Sequence, residues 1–182
     1  METEIVKKDN SIFHLLDKED EKQIVNLSDF VKDSILVYKV HSNFELSYRG
    51  IKHLAILMAA QGMPLAIVSS KTELIGEGNE KTWYATVLMK NEKLGQVEEG
   101  YSECKFYDEK DSQDLFARTK AHSKAERNAK RKLIPEYLIT KFIKDAQEQG
   151  QVKKLDFCSC IKPVPNPLAN EICKTCNKVI KQ

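Results

Sequence analysis

Alanine recurs every fourth residue at Ala117, Ala121, Ala125 and Ala129, and the series runs on to Leu133. That spacing keeps one face of a helix free of bulk. A face of small residues lets a helix axis come close to a sheet. The helix is predicted over 113–134, with Pro135 ending or kinking it because proline removes a backbone donor and clashes with the preceding turn. Three runs before it supply a sheet. LAIVSSKTELI (65–75), TWYATVLMK (82–90) and QVEEGYSECKFY (96–107) are rich in β-branched and aromatic residues. The short polar turns GEGNEK and NEKLG separate them, and turns that short join antiparallel neighbours. The expectation is an α+β fold, an antiparallel three-stranded meander (a β-β-β-α core) packed by helices, with a small zinc ribbon at the C-terminus.

Other segments complete the core. ILVYKV (35–40) reads as a strand. Ser47 is an N-cap for a helix from Tyr48, and Ile51, Leu54, Ala55 and Met58 form its apolar stripe. Gly62 and Pro64 stop that helix. EYLITKFIKDAQEQ resumes helical spacing, Gly150 ends it, and QVKKLDF reads as a linker. Near the N-terminus a short helix over 15–31 would gather Leu15, Leu16, Ile24, Val25, Leu27 and Phe30 on a loose face. The divisions are an N-terminal arm or helix over 1–34, an α+β nucleic-acid-binding and oligomerisation core over 35–150, and a zinc-ribbon tail over 151–182.

Lys and Arg total 29 against 27 Asp and Glu, a formal net charge of +2. That balance argues against a protein that coats DNA by global charge and directs attention to local patches. The most apolar stretch, 54–68, is interrupted by Gln61, Gly62 and Pro64, short of the roughly 20 apolar residues a membrane helix needs. An intracellular protein is expected, cytoplasmic and nucleoid-associated, or nuclear in a eukaryote, with no membrane partner.

From Arg118 to Lys132 seven cations face the single acid Glu126. Lys120, Lys124, Arg127 and Arg131 are spaced 4, 3 and 4, which places them along one helix face, away from the alanines. With the alanines on the sheet, these cations are expected to stand in solvent. A row of cations gains affinity for a polyanion by releasing counterions, and arginine offers a planar fork to phosphate oxygens. Arg49 and Lys52, at the start of the first core helix, would join the same groove. Tyr48, Trp83, Tyr84 and Tyr101 are base-stacking surfaces in that reading, and packing residues in the plainer one.

The order of a helix YRGIKHLAILMAAQG, a meander whose last strand carries EEGYSECK, and a helix carrying SKAERNAKRKL resembles the Rad-fifty-two-type single-strand annealing proteins. The resemblance covers roughly 35–145. It implies a β-β-β-α core, a ring or filament of identical chains, and single-stranded DNA held in an outer groove with its bases exposed. It also implies pairing with a complementary strand without nucleotide hydrolysis, as in recombination, repair or replication. By match to the family's helix-end pair, Lys130 and Arg131 face the DNA backbone. The pattern's further arginine falls here on Ile134, and Lys132 stands in for it.

Cys158 and Cys160 (CSC) and Cys173 and Cys176 (CKTC) flank a loop of twelve residues. Thiolates at such spacing converge on a tetrahedral Zn2+. A tail this short cannot bury a core without a staple. The ribbon would touch nucleic acid or a protein partner. Cys104 reads as packing. No P-loop, GxSxG or HExxH motif is present, so the leading expectation is a non-enzymatic protein that binds and anneals single strands. One alternative is a zinc-ribbon module acting in transcription or on RNA. Another is a metal-dependent nuclease using Glu98, Glu99 and Glu103.

Overall fold

The computed structural model describes residues 10–25, 35–40, 43–107, 112–155, 165–166 and 169–173. Helix α1 (Asn10–Val25) comes first, followed by strands β1 (Val37–Val40) and β2 (Asn43–Leu46) and helix α2 (Tyr48–Ala60). Strands β3 (Leu65–Ile75), β4 (Thr82–Asn91) and β5 (Val97–Lys105) follow. Helices α3 (Ala117–Leu133) and α4 (Glu136–Glu148) and strands β6 (Val152–Leu155), β7 (Pro165–Asn166) and β8 (Ala169–Cys173) complete the order.

The expected α+β core is present. Strands β3, β4 and β5 form an antiparallel sheet in sequence order. Ala85, Val87 and Met89 alternate along β4 toward α3 and pack on Ala121, Ala125, Ala129 and Leu133. The alanines let the two layers close, and Gly100 completes the approach. A Cβ at Gly100 would lie 2.0 Å from the Ala125 carbonyl oxygen and 2.5 Å from the Ala129 nitrogen. The close packing therefore requires a small helix face and a bare strand position together.

A second core lies beneath α2 and α4. It joins Leu36, Val37, Leu46, Ile51, Leu54, Met58, Ile134, Ile139 and Phe142. Ser47 caps α2, its Oγ accepting from the Gly50 N–H at 3.0 Å. Gly62, at φ 76°, takes the left-handed turn that follows the helix.

Several boundaries differ from the sequence reading. Helix α1 spans Asn10–Val25 and so starts before the predicted position 15, while residues 26–31 of that prediction lie outside those described. Helix α3 starts at Ala117, not at 113. Gln113 is bridged to Tyr107, and Asp114 accepts from the Phe116 N–H through its carboxylate and from the Ala117 N–H through its carbonyl. Residues 152–155, read as linker, form β6, which pairs in parallel with β1 beside the β1–β2 hairpin. Strands β7 and β8 pair as a hairpin with Pro165 opposite Cys173. Cys158, Cys160 and Cys176 lie outside the described residues, as does the side chain of Cys173.

Candidate nucleic-acid interface

With its alanines on the sheet, α3 turns its cations to the far side, as expected. The expectation that all of them stand in solvent is overturned, because α1 lies across the N-terminal part of that ridge. Lys120 Nζ is 2.7 Å from Asp114 and 3.6 Å from Glu21. Lys124 Nζ is 3.0 Å from Glu21 and 3.5 Å from Asp17, with its side chain only 7% exposed. Arg127 donates to Asp20 and, at 3.1 Å, to Asp17. A cationic face and an acidic face on two helices attract at close range, and each covers charge that would otherwise be hydrated.

Asp20 is the hub of this contact. It is 1% exposed. Its carboxylate accepts from the Tyr48 backbone N–H at 2.8 Å, from the Tyr38 hydroxyl at 3.2 Å and from Arg127. Gln23 accepts from the Arg49 N–H at 3.1 Å and donates to the Ile35 carbonyl. Helix α1 therefore supplies side-chain acceptors to the first turn of α2, whose N–H groups have no partner within their own helix. Glu19 extends the contact to Lys153 on β6.

The titration shifts describe the electrostatic balance. Burial pushes the Asp20 carboxyl above its ordinary value, even though Arg127, the Tyr48 N–H and the Tyr38 hydroxyl all favour the anion. Burial also opposes the charge on Lys124, but Asp17 and Glu21 outweigh it and hold the ammonium above its ordinary value. Lys120 behaves alike, with Asp114 and Glu21 overcoming its burial. The ridge cations are thus compensated by acids of α1, while burial works against the charge on Asp20 and Arg127 works for it.

The C-terminal half of the ridge is arranged differently. Lys130 pairs with Glu126 one turn back at 2.5 Å, a contact within α3 itself. Arg131 reaches Glu136 at 3.3 Å and is about one-third exposed. Lys132 is exposed and donates to the Glu99 carbonyl at 2.7 Å. Lys52 is exposed on α2 and shares a cleft with Tyr48, Ile51, Glu126, Arg127 and Lys130. The structure therefore brings Lys52 to the α3 cations. Arg49 sits on the same first turn, where its backbone is held by α1.

The aromatic residues divide. Trp83 is half-buried on the α3 side of the sheet, with the Arg118 guanidinium 5.6 Å from its ring centroid. Tyr84 and Tyr101 stack at 6.2 Å on the opposite face, where Tyr101 is exposed and donates to Glu103. Glu98 and Glu99 follow one another on β5 and so point to opposite faces of the sheet, an arrangement that does not bring that pair to one metal. Cys104 is half-buried beneath α3, and burial pushes its thiol up to about 11.

Asp17, Asp20 and Glu21 are the residues that sequence reasoning missed. Their spacing of three and one puts them on one helical face, complementary to cations spaced four and three on α3. That matched spacing was readable, but the pairing spans more than a hundred residues of chain. Compared with known proteins, the chain matches no family model, no curated protein and no solved structure.

Proposed function

We propose that the protein binds single-stranded nucleic acid on the cationic face of α3 and promotes annealing of complementary strands without nucleotide hydrolysis. The observation that carries this reading is the meeting of Lys52 of α2 with Arg127 and Lys130 of α3, a helix with seven cations, in one cleft. Phosphates enter at Lys52, Lys130, Arg131 and Lys132, and then compete with Asp17 and Glu21 for Lys120 and Lys124. Arg127 joins once α1 lifts away. The burial of Asp20 in the α1 contact supports a releasable cover, because its carboxylate regains hydration when α1 departs. Backbone contacts position the strand, and base pairing supplies the specificity. The reading places the protein in recombination, repair or replication, within the cytoplasm or nucleus. Among the described residues no helix is long and apolar enough to cross a membrane.

The test is annealing of labelled complementary oligonucleotides without ATP, with binding measured on unrelated single strands. Salt-sensitive binding of similar strength to each strand, together with faster annealing, is expected. Absence of both contradicts the reading.

The occupied ridge favours a second reading, in which the α+β part is a scaffold and the tail makes the contact. The antiparallel β7–β8 pair follows the CxC in sequence and ends on Cys173, the first cysteine of the CxxC, which suits Zn2+ held by Cys158, Cys160, Cys173 and Cys176. Replacing Cys173 and Cys176 by Ser would release the metal and leave the core folded. Loss of all nucleic-acid binding in that variant, with sequence-selective duplex binding in the parent, supports the scaffold reading.

A further inference from the structure

Among the described residues, strand β3 is a sheet edge, and most of its length is exposed. Leu74 and Ile75 are among the exposed large apolar residues. Long bare edges are templates for another strand. The opposite edge is guarded, since Asn128 donates to the Tyr101 carbonyl at 2.9 Å and Lys132 to the Glu99 carbonyl at 2.7 Å.

Those two carbonyls also reveal which backbone groups face outward. Odd-numbered residues of β5 aim away from β4, so its even residues bond to Trp83, Ala85, Val87 and Met89. By the same alternation Tyr84, Thr86 and Leu88 bond to Glu73, Lys71 and Ser69 on β3. Ser70, Thr72 and Leu74 are then left with N–H and C=O pointing outward. Regular pairing is bounded by the irregularity between Ile67 and Ser69 and by Gly76 at φ 99°. The midpoint of Ser69–Ile75 is Thr72.

The geometry points to a second copy of this chain as the occupant of that edge, its β3 antiparallel to the first about a two-fold axis at Thr72. In that register Ser70 and Leu74 exchange backbone bonds with Leu74 and Ser70 of the second copy, and Thr72 with Thr72. Lys71 lies opposite Glu73 of the second copy, and Glu73 opposite its Lys71. Within one chain these two already sit 2.6 Å apart on the outer face, so pairing assembles a cluster of alternating charge. Moving the axis by one residue instead sets Lys71 against Lys71, or Glu73 against Glu73. Pairing β3 with β5 of another copy would first have to displace Asn128 and Lys132. The two-fold contact closes on itself, and it does not depend on the nucleic-acid reading.

Sedimentation velocity of the full chain over a concentration series tests this inference. The parent is expected to form a dimer. Thr72→Pro removes an outward N–H without touching β4 and should give a monomer. Lys71→Glu and Glu73→Lys should each weaken the dimer about tenfold or more by setting like charges across the axis. The combined Lys71→Glu/Glu73→Lys variant should restore it. Circular dichroism confirms that each variant is folded. A parent that stays monomeric, single charge variants that dimerise as well as the parent, or a combined variant that fails to recover each overturn the proposal. So does a larger assembly indifferent to Thr72→Pro.

Discussion

Replacing Asp17 by Asn and Glu21 by Gln is expected to strengthen single-strand binding. Both changes keep side-chain volume and leave Asp20, the deep anchor, in place. They remove the charge from contacts with Lys120 at 3.6 Å, Lys124 at 3.0 and 3.5 Å, and Arg127 at 3.1 Å. Asp17 and Glu21 are partly exposed, at 38% and 25%, so each contact counts as a screened pair of about 0.2–1 kcal/mol. Together the docking of α1 should weaken by about 1–3 kcal/mol. If strand binding requires α1 to lift, that difference passes to the apparent affinity as a gain of about 5- to 150-fold. The salt dependence should also steepen as more cations become available to phosphate. Fluorescence anisotropy of a labelled oligothymidine at several salt concentrations reads both, with circular dichroism to verify folding. Affinity that stays within twofold of the parent, or falls, refutes displacement of α1.

Three further outcomes are expected. Lys130→Ala with Arg131→Ala should weaken single-strand binding and flatten its salt slope, because both side chains sit on the half of the ridge that α1 does not pair; a titration series measures it. Gly100→Ala should push α3 away from β5, since the new Cβ meets main-chain atoms 2.0 and 2.5 Å away. A loss of about 3 kcal/mol or more in a urea melt is the expected size for overpacking against backbone. Raising the pH should loosen α1. Lys120 and Lys124 titrate above their ordinary value of 10.5 when folded. Their pairing therefore stabilises fully below that value and is lost as pH climbs through the raised ones. Thermal melts at pH 10 and in steps above pH 10.5 should show that loss in the parent and less of it in the Asp17→Asn/Glu21→Gln variant.

Much of the core was legible because it rests on short-range patterns. The alanine series specified a close helix–sheet contact, and alternation along 82–90 identified the strand face beneath it. The Ser47 cap and the Gly62 stop bounded α2 for the same local reasons. What escaped depends on distant partners. NFEL at 43–46 and VKKL at 152–155 are too short and too polar to announce strands. They become strands because β1 lies between them and satisfies their backbone groups. The cationic ridge was correctly placed on a face of α3 away from the sheet, but its exposure was not. Charge on a helix surface reads the same whether water or another helix compensates it. Only the fold brought Asp17, Asp20 and Glu21 over Lys120, Lys124 and Arg127.

Amide hydrogen exchange across Asn10–Val25, followed with and without a saturating single-stranded oligonucleotide, tests the central claim most directly. The account predicts that α1 loses protection when the strand binds while the amides of α3 keep theirs. Protection of α1 that is unchanged or increased in the bound protein would contradict it.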